Sequence, residues 1–353
     1  MKKIKIKHNE NPVEIFSTMG CRTINGFDIN FKDIYKQNIQ SVLDNQTLKY
    51  DIRSAAQKDG RGNICPVTII LPTIAMESKK DPKIFFKNLD KKIHEAKDML
   101  IERYKIICEQ PRTAAKFMWD NHTMAGYDNI NVSSAIQHGT LVIGQLGLAE
   151  TLQILLGCDQ TDPRGMKLAK EIETLFNKRC AEFKKEYSLN FGVYYTPAEN
   201  LCYTAMKKFR KKYGIIKNVS DHEYFTNSMH VPVWKQMNPF EKIDIESQLT
   251  GYSNAGCITY VELPSSAEHN IDALETLVNY AMDKDIPYFA INIPNDHCTD
   301  CGYTGELNDK CIKCGSDKIK RLRRVTGYLS TDYRNFNLGK QHEVEDRVKH
   351  ITQ

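Results

Sequence analysis

Four cysteines arrive as two pairs, Cys298-x-x-Cys301 and Cys311-x-x-Cys314, separated by nine residues. Each pair fits a knuckle-like turn that brings two thiolates to one ion. A glycine follows each second cysteine, where the tight backbone asks for one. Four thiolates suit tetrahedral zinc and leave no open position for substrate, so this spacing points to a structural metal. His297 is adjacent and superfluous, and redox pairing of the thiols is the lesser alternative. Just downstream, "RVTGYLSTDYRN" sets Gly327 between Thr326 and Tyr328, flanked by arginines. Such a glycine is either a turn residue needing positive φ or a residue with a chemical task.

The elements that position these groups alternate. "ICPVTIILPTIAM" (residues 64–76) reads as one apolar β-rich strand, interrupted by Pro72 and buried on both faces. The segment after it is apolar at helical spacing from Ile84 to Ile107. "TLVIGQLGLAETLQILLG" reads as a short strand or loop passing into a helix, with Gly157 as its stop. "NFGVYYTPAENLCYTAMKKFRKKYG" repeats that order, and "GCITYVELP", "NIDALETLVNYAMDKD" and "IPYFAINIP" give strand, helix, strand. Alternation of this kind predicts an α/β fold with mostly parallel strands. A composition shift at Asn295 divides the chain into residues 1–294 and 295–353.

Within "TPAEN", Thr196 reads as an N-cap, Pro197 as the first helical residue and Glu199 as the return partner of a capping box. "KIKRLRR" (residues 318–324) alternates apolar and basic residues. A nucleic-acid surface is one reading; an edge strand with a solvated face is preferred.

Composition sets limits. The 353 residues, 41% apolar and 26% charged, are enough for a sizeable globular core. A net charge of +5 is too dilute to imply nucleic acid. No apolar run reaches the length of a membrane span, and the basic N-terminus lacks the apolar stretch of a secretory signal, so a cytoplasmic location is expected. The eleven cysteines are then expected to be buried residues, metal ligands or reactive groups rather than a disulfide framework.

Several motifs in one order resemble the anaerobic, class III ribonucleotide reductases. "RVTGYLSTDYRNFNLGKQHEVEDRVKH" is similar to their glycyl-radical segment, and the four-cysteine site lies just upstream, as in that family. "STMGCRT" resembles their active-site cysteine loop, with Cys21 at its tip. "GRGNICPVTIILP", "QHGTLVIGQLGLAETL", "YYTPAEN" and "FTNSMHVPV" match later barrel segments. The resemblance runs from about Asn11 to His350.

It implies the second half of a ten-stranded α/β barrel, followed by a small zinc and radical-loop region. It also implies anaerobic reduction of ribonucleoside triphosphates to 2′-deoxyribonucleotides, with formate or a thiol as reductant. Gly327 would store the radical, since a carbon without Cβ can flatten freely. Cys21 would relay it as a thiyl radical that takes the ribose 3′-hydrogen. Asn63 would hydrogen-bond near the sugar hydroxyls. The turn Thr196, Pro197, Ala198, Glu199 would hold substrate phosphates on helix-start amides. His138 and Glu150 read as structural. An S-adenosylmethionine/iron–sulfur activating enzyme is implied as partner, gripping the charged run 340–350.

The family's N-terminal barrel half and its regulatory module have no counterpart here, so assembly with a separately encoded N-terminal half, and a homo-oligomer of the assembled enzyme, are expected. No direct nucleic-acid or membrane binding is expected. The alternatives are another glycyl-radical enzyme, which would lack the four-cysteine site, or a zinc-ribbon nucleic-acid protein, which leaves Cys21 and Gly327 unexplained.

Overall fold

The computed structural model describes residues 6–8, 11–13, 23, 28–30, 62–121, 124, 126–325, 328–330 and 332–351. A short hairpin, β1 (Ile6–His8) and β2 (Asn11–Val13), comes first. The segment expected to be one strand divides: β3 (Asn63–Ile70) is followed directly by helix α1 (Leu71–Glu77). Pro72 opens that helix, where a missing N–H costs nothing. β3 is also only half-buried, with Ile69 its one fully covered residue, so burial on both faces is corrected as well.

Helix α2 (Pro82–Cys108) is capped by Asp81, whose carboxylate accepts from the Lys83 and Ile84 amides at 2.7 and 3.3 Å. Phe85, Leu89, Ile93, Ala96 and Leu100 form one buried stripe, which packs on β3. Short helices α3 (Lys116–Asp120) and α4 (Val132–Ile136) lead to β4 (Thr140–Leu146), which is buried at every residue. Helix α5 (Leu148–Leu156) ends at Gly157 in the left-handed conformation, as expected. Helix α6 (Pro163–Tyr187) buries Ile172, Phe176, Cys180 and Phe183 and packs on β5 (Asn190–Tyr194). Strands β3, β4 and β5 form a parallel sheet in that order.

Helices α7 (Leu201–Tyr213) and α8 (Pro239–Thr250) follow. The parallel pair β6 (Thr259–Glu262) and β7 (Phe289–Asn292) flanks helix α9 (Ile271–Asp283). The lead-in to β6 continues the first sheet, because Ala255 N–H donates to Val193 and Tyr195 N–H to Gly256, both at 3.0 Å. An antiparallel sheet begins at Asn295: β8 (Asn295–Cys298), β9 (Thr304–Gly305), β10 (Ile319–Val325) and β11 (Tyr328–Ser330), ordered β11-β10-β8-β9. Helix α10 (Leu338–Asp346) then returns to pack on α7. No helix among the described residues is long and apolar enough to cross a membrane.

One buried acid tests this packing. Glu173 of α6 lies fully covered against Gln145 of β4, whose amide donates to it. Burial pushes its carboxyl up from 4.5 to about 8, against hydrogen bonds from Tyr195 and Gln145 that lower it. The folded chain keeps this proton where the unfolded chain releases it, so its contribution is full below pH 4.5 and lost as pH rises through about 8. Glu173→Gln is expected to remove that loss and stabilise the chain at pH 8.5 by about 1–3 kcal/mol. Thermal melts at pH 5 and 8.5 check this; a parent and variant that change in parallel would refute it.

Candidate active site and metal centre

The four cysteines meet. Cys298 and Cys314 sulfurs are 3.6 Å apart, as are those of Cys301 and Cys311, and all four lie within 4.8 Å of one another. A tetrahedron with Zn–S bonds of about 2.3 Å has edges of about 3.8 Å, so the spacing of the thiols suits a zinc ion. Both knuckles close alike: Gly302 N–H donates to Cys298 O at 3.0 Å and Gly315 N–H to Cys311 O at 2.8 Å. Each glycine is left-handed, with φ of 73° and 75°. Without an ion the thiols share protons: burial disfavours ionising Cys311, but the Lys313 and Cys314 amides and the neighbouring thiols bring it down, while the same thiols push Cys314 up. His297 points outward on β8 and lies outside the cluster.

The basic strand is not an edge. β10 runs between β8 and β11, with Ile319 opposite Cys298 and Val325 opposite Tyr328. Its guanidiniums are engaged: Arg323 pairs with buried Asp296 at 2.5 Å, and Arg321 donates to the Leu307 and Asn308 carbonyls. Sheet order was not readable from the alternation, and of the basic residues in 318–324, Arg321 and Arg323 have internal partners while Lys318 and Lys320 are exposed. Only residues 326 and 327 separate β10 from β11. Gly327 lies outside the described residues, as does Cys21.

Thr23, two residues after Cys21, is described, and Asn63 at the start of β3 reaches it: Asn63 Nδ2 lies 3.5 Å from Thr23 Oγ1 and donates to Ala255 O at 2.9 Å. The Asn63 Oδ1 is buried without a hydrogen-bond partner among the described residues. Residues 28–30 are docked nearby. Asp28 contacts His138 Nδ1 and accepts from Asn190 Nδ2, both at 2.8 Å, and Asn30 donates to Gln137 O at 3.0 Å. His138 is therefore a buried brace. Glu150 is another, accepting the Thr226 amide at 2.7 Å, with burial pushing its carboxyl up to about 7.

The capping box at "TPAEN" does not form. Helix α7 starts at Leu201 with Asn200 at its N-cap position, and no side chain caps it. The Thr196 hydroxyl is instead paired with that of Thr68 on β3 at 2.9 Å. Ala198 N–H donates to Thr196 O and to Asn227 Oδ1, and Glu199 N–H to Pro197 O. Ser228 Oγ also donates to Thr196 O at 2.9 Å. Asn227 and Ser228 thus brace the turn from the "FTNSMHVPV" segment, a role that no local pattern signals. The turn itself joins the carboxyl end of β5 to the start of α7, the place where open parallel sheets receive ligands.

In the run 340–350, expected as a grip for a partner, Lys340, Glu343 and His350 are buried while His342 and Glu345 stay exposed. Lys340, Glu343 and Arg347 have side chains no more than 7% exposed. Lys340 pairs with Glu343, and Arg347 with Glu343 at 3.4 Å and with Glu262 at the end of β6 at 3.1 Å. His350 is buried too, its Nδ1 accepting the Glu262 amide at 2.9 Å. Of these charges, Arg347 alone has an ion-pair partner about eighty residues away, Glu262.

The profile of the anaerobic ribonucleoside-triphosphate reductases matches residues 1–350. The chain belongs to this family. A reductase of that name from Haemophilus influenzae is 34% identical over 325 residues, covering 86% of this chain. The one from Enterobacteria phage T4 is 33% identical over 309 residues, covering 83% of the chain. The chain spans 44% and 49% of the length of those two anaerobic ribonucleoside-triphosphate reductases. A solved anaerobic ribonucleotide reductase shares the fold, with a TM-score of 0.65 at 21% identity over 83% of this chain and 46% of that one. The Thermotoga maritima enzyme with MES in its active site matches with a TM-score of 0.61 at 22% identity, over 77% of this chain and 44% of that one.

Proposed function

We propose that this chain supplies the radical-bearing part of an enzyme that reduces ribonucleoside triphosphates to 2′-deoxyribonucleotides without oxygen. The observation that carries the reading is the zinc-fitting four-thiol cluster at the start of β10, the strand whose other end pairs with β11, in a chain matching the reductase family over residues 1–350. Gly327, between those strands, stores the radical after an S-adenosylmethionine/iron–sulfur activating enzyme removes an α-hydrogen. Cys21 relays it, taking the 3′-hydrogen of the ribose and so labilising the 2′-hydroxyl. Zinc on Cys298, Cys301, Cys311 and Cys314 supplies rigidity and no chemistry.

Two features of the geometry support the substrate assignments. The unpartnered Asn63 Oδ1, beside Thr23 of the cysteine loop, is an acceptor suited to a sugar hydroxyl. The turn Thr196, Pro197, Ala198, Glu199 stands where a strand end meets a helix start, a setting suited to phosphate. The Thermotoga maritima enzyme has been solved in complex with dATP and CTP, which accords with triphosphate ligands. In this reading β3 to β7 are half of a ten-stranded barrel, residues 1–294 form its catalytic part and 295–353 the zinc and radical region. The other half comes from a partner segment, the assembled enzyme is a cytoplasmic homo-oligomer, and formate or a thiol is the reductant.

Cys21→Ser tests the relay. Its O–H bond is too strong to exchange hydrogen with the glycine radical, so the variant is expected to accept activation yet form no deoxynucleotide in anaerobic product analysis of the assembled enzyme. Full turnover would remove Cys21 from the mechanism. Pyruvate chemistry, or salt-dependent nucleic-acid binding without turnover, would favour the two alternatives.

A further inference from the structure

We infer that Asn337 is a positioning residue that ties the radical hairpin to the substrate turn; this rests on the reading of Gly327 and residues 196–199 given above. Three of the four hydrogen-bonding capacities of its amide are used, each on a different element. Oδ1 caps α10 by accepting the Lys340 amide at 3.1 Å. Nδ2 donates to the Glu199 carbonyl and to the Tyr328 hydroxyl, both at 3.2 Å. Glu199 is the last residue of the "TPAE" turn, and Tyr328 directly follows Gly327 in sequence.

The atoms around this junction are fixed. The Glu199 carbonyl also accepts from Cys202 Sγ at 3.4 Å, inside the first turn of α7. The Tyr328 ring lies on Phe336 with centroids 5.2 Å apart. Helix α10 approaches α7 so closely that a Cβ on Gly339 would meet Tyr203 Cβ at 2.6 Å, so glycine is required there. Beyond the helix, Arg347 donates to the Arg324 carbonyl at 2.8 Å, holding the other strand of the hairpin. A displacement of Glu199 therefore has a short, stiff route to the backbone beside Gly327. Hydrogen transfer between the hairpin and a thiol is steeply sensitive to distance, which makes such a tie consequential.

Asn337→Asp separates the roles. The carboxylate still caps α10, and the Tyr328 hydroxyl, which accepts from Asn337 in the parent, can turn to donate to it; but it cannot donate to the Glu199 carbonyl and faces that oxygen with like charge. Tyr328→Phe removes the hydroxyl and keeps the ring contact. In the assembled, activated enzyme both variants are expected to keep zinc content, melting temperature and radical signal, while kcat falls roughly tenfold or more with nucleotide KM changed far less. Amide exchange of the Asn337→Asp chain without nucleotide should quicken in residues 196–202, and not in residues 298–318. A kcat equal to the parent's, or a radical signal lost in step with kcat, would overturn the assignment, the second outcome marking a merely structural residue. An inactive parent enzyme whose Asn337→Asp exchange still quickens would instead remove the reductase reading and leave the tie standing.

Discussion

Serine at any one of Cys298, Cys301, Cys311 or Cys314 is expected to release the metal and unfold the sheet β11-β10-β8-β9. The packed interior of that region is small: Cys298, Leu307, Cys311 and Ile319 are its fully buried members, with Cys301 and Tyr303 against them. Two of those four are the metal ligands themselves, so little apolar burial remains without the ion. Structural zinc supplies roughly 10 kcal/mol or more of folding free energy, far above what such a core could replace. Metal content should drop from about one ion per chain to near zero in each variant. The parallel sheet should keep its melting transition, since the core around Phe85, Ile143, Phe176 and Phe191 is separate. Turnover should vanish because the β10–β11 pair loses its frame. Full zinc occupancy in any one variant would defeat the assignment.

The same region shows what local sequence can and cannot carry. The cysteine spacing and the two following glycines encode a knuckle geometry entirely within a few residues, so the metal site was legible. So were β4, α5 and its Gly157 stop, where apolar spacing and a left-handed glycine coincide. Position in a sheet is not local: residues 318–324 alternate like an edge strand, yet the strand is a middle one in the sheet order, pairing with β8 through residues 319–322 and with β11 through residues 323–325. "TPAEN" satisfies a capping pattern, but Thr68, 128 residues earlier, captures the Thr196 hydroxyl, and the helix starts later. Lys340, Glu343 and Arg347 pair locally with one another, but their burial is not local, and Arg347 has a further partner, Glu262, that is remote in sequence. Asn337 carries a local signal for a helix cap and none for its two remote acceptors, Glu199 and Tyr328.

These corrections bear on how the hairpin is used. A C-terminal run held by buried ion pairs is costly to peel away, since separating one partner strands a charge in the interior. A partner that reaches Gly327 therefore meets a segment anchored on both sides, by Arg347 at Arg324 and by Asn337 at Tyr328.

Gly327→Ala is expected to abolish both the radical and turnover. A radical on a glycine α-carbon is shared between the flanking amide nitrogen and carbonyl, which requires a planar centre; a Cβ crowds that plane against the neighbouring peptide groups. Activated parent enzyme should show a carbon-centred doublet by electron paramagnetic resonance, split by the single remaining α-hydrogen, and the alanine variant should show none. Oxygen adds to such a carbon and cuts the backbone there, so brief exposure of the activated parent to air should release the fragment beginning at Tyr328, and the alanine chain should stay whole. If Gly327 were only a turn glycine, the substitution would cost about 1 kcal/mol of stability and leave turnover near normal. Zinc content separates the cases independently, because the cysteine frame lies outside the substituted residue and should remain full in Gly327→Ala. An alanine variant that still makes deoxynucleotide, or an activated and air-exposed parent that stays intact, would return Gly327 to the turn reading.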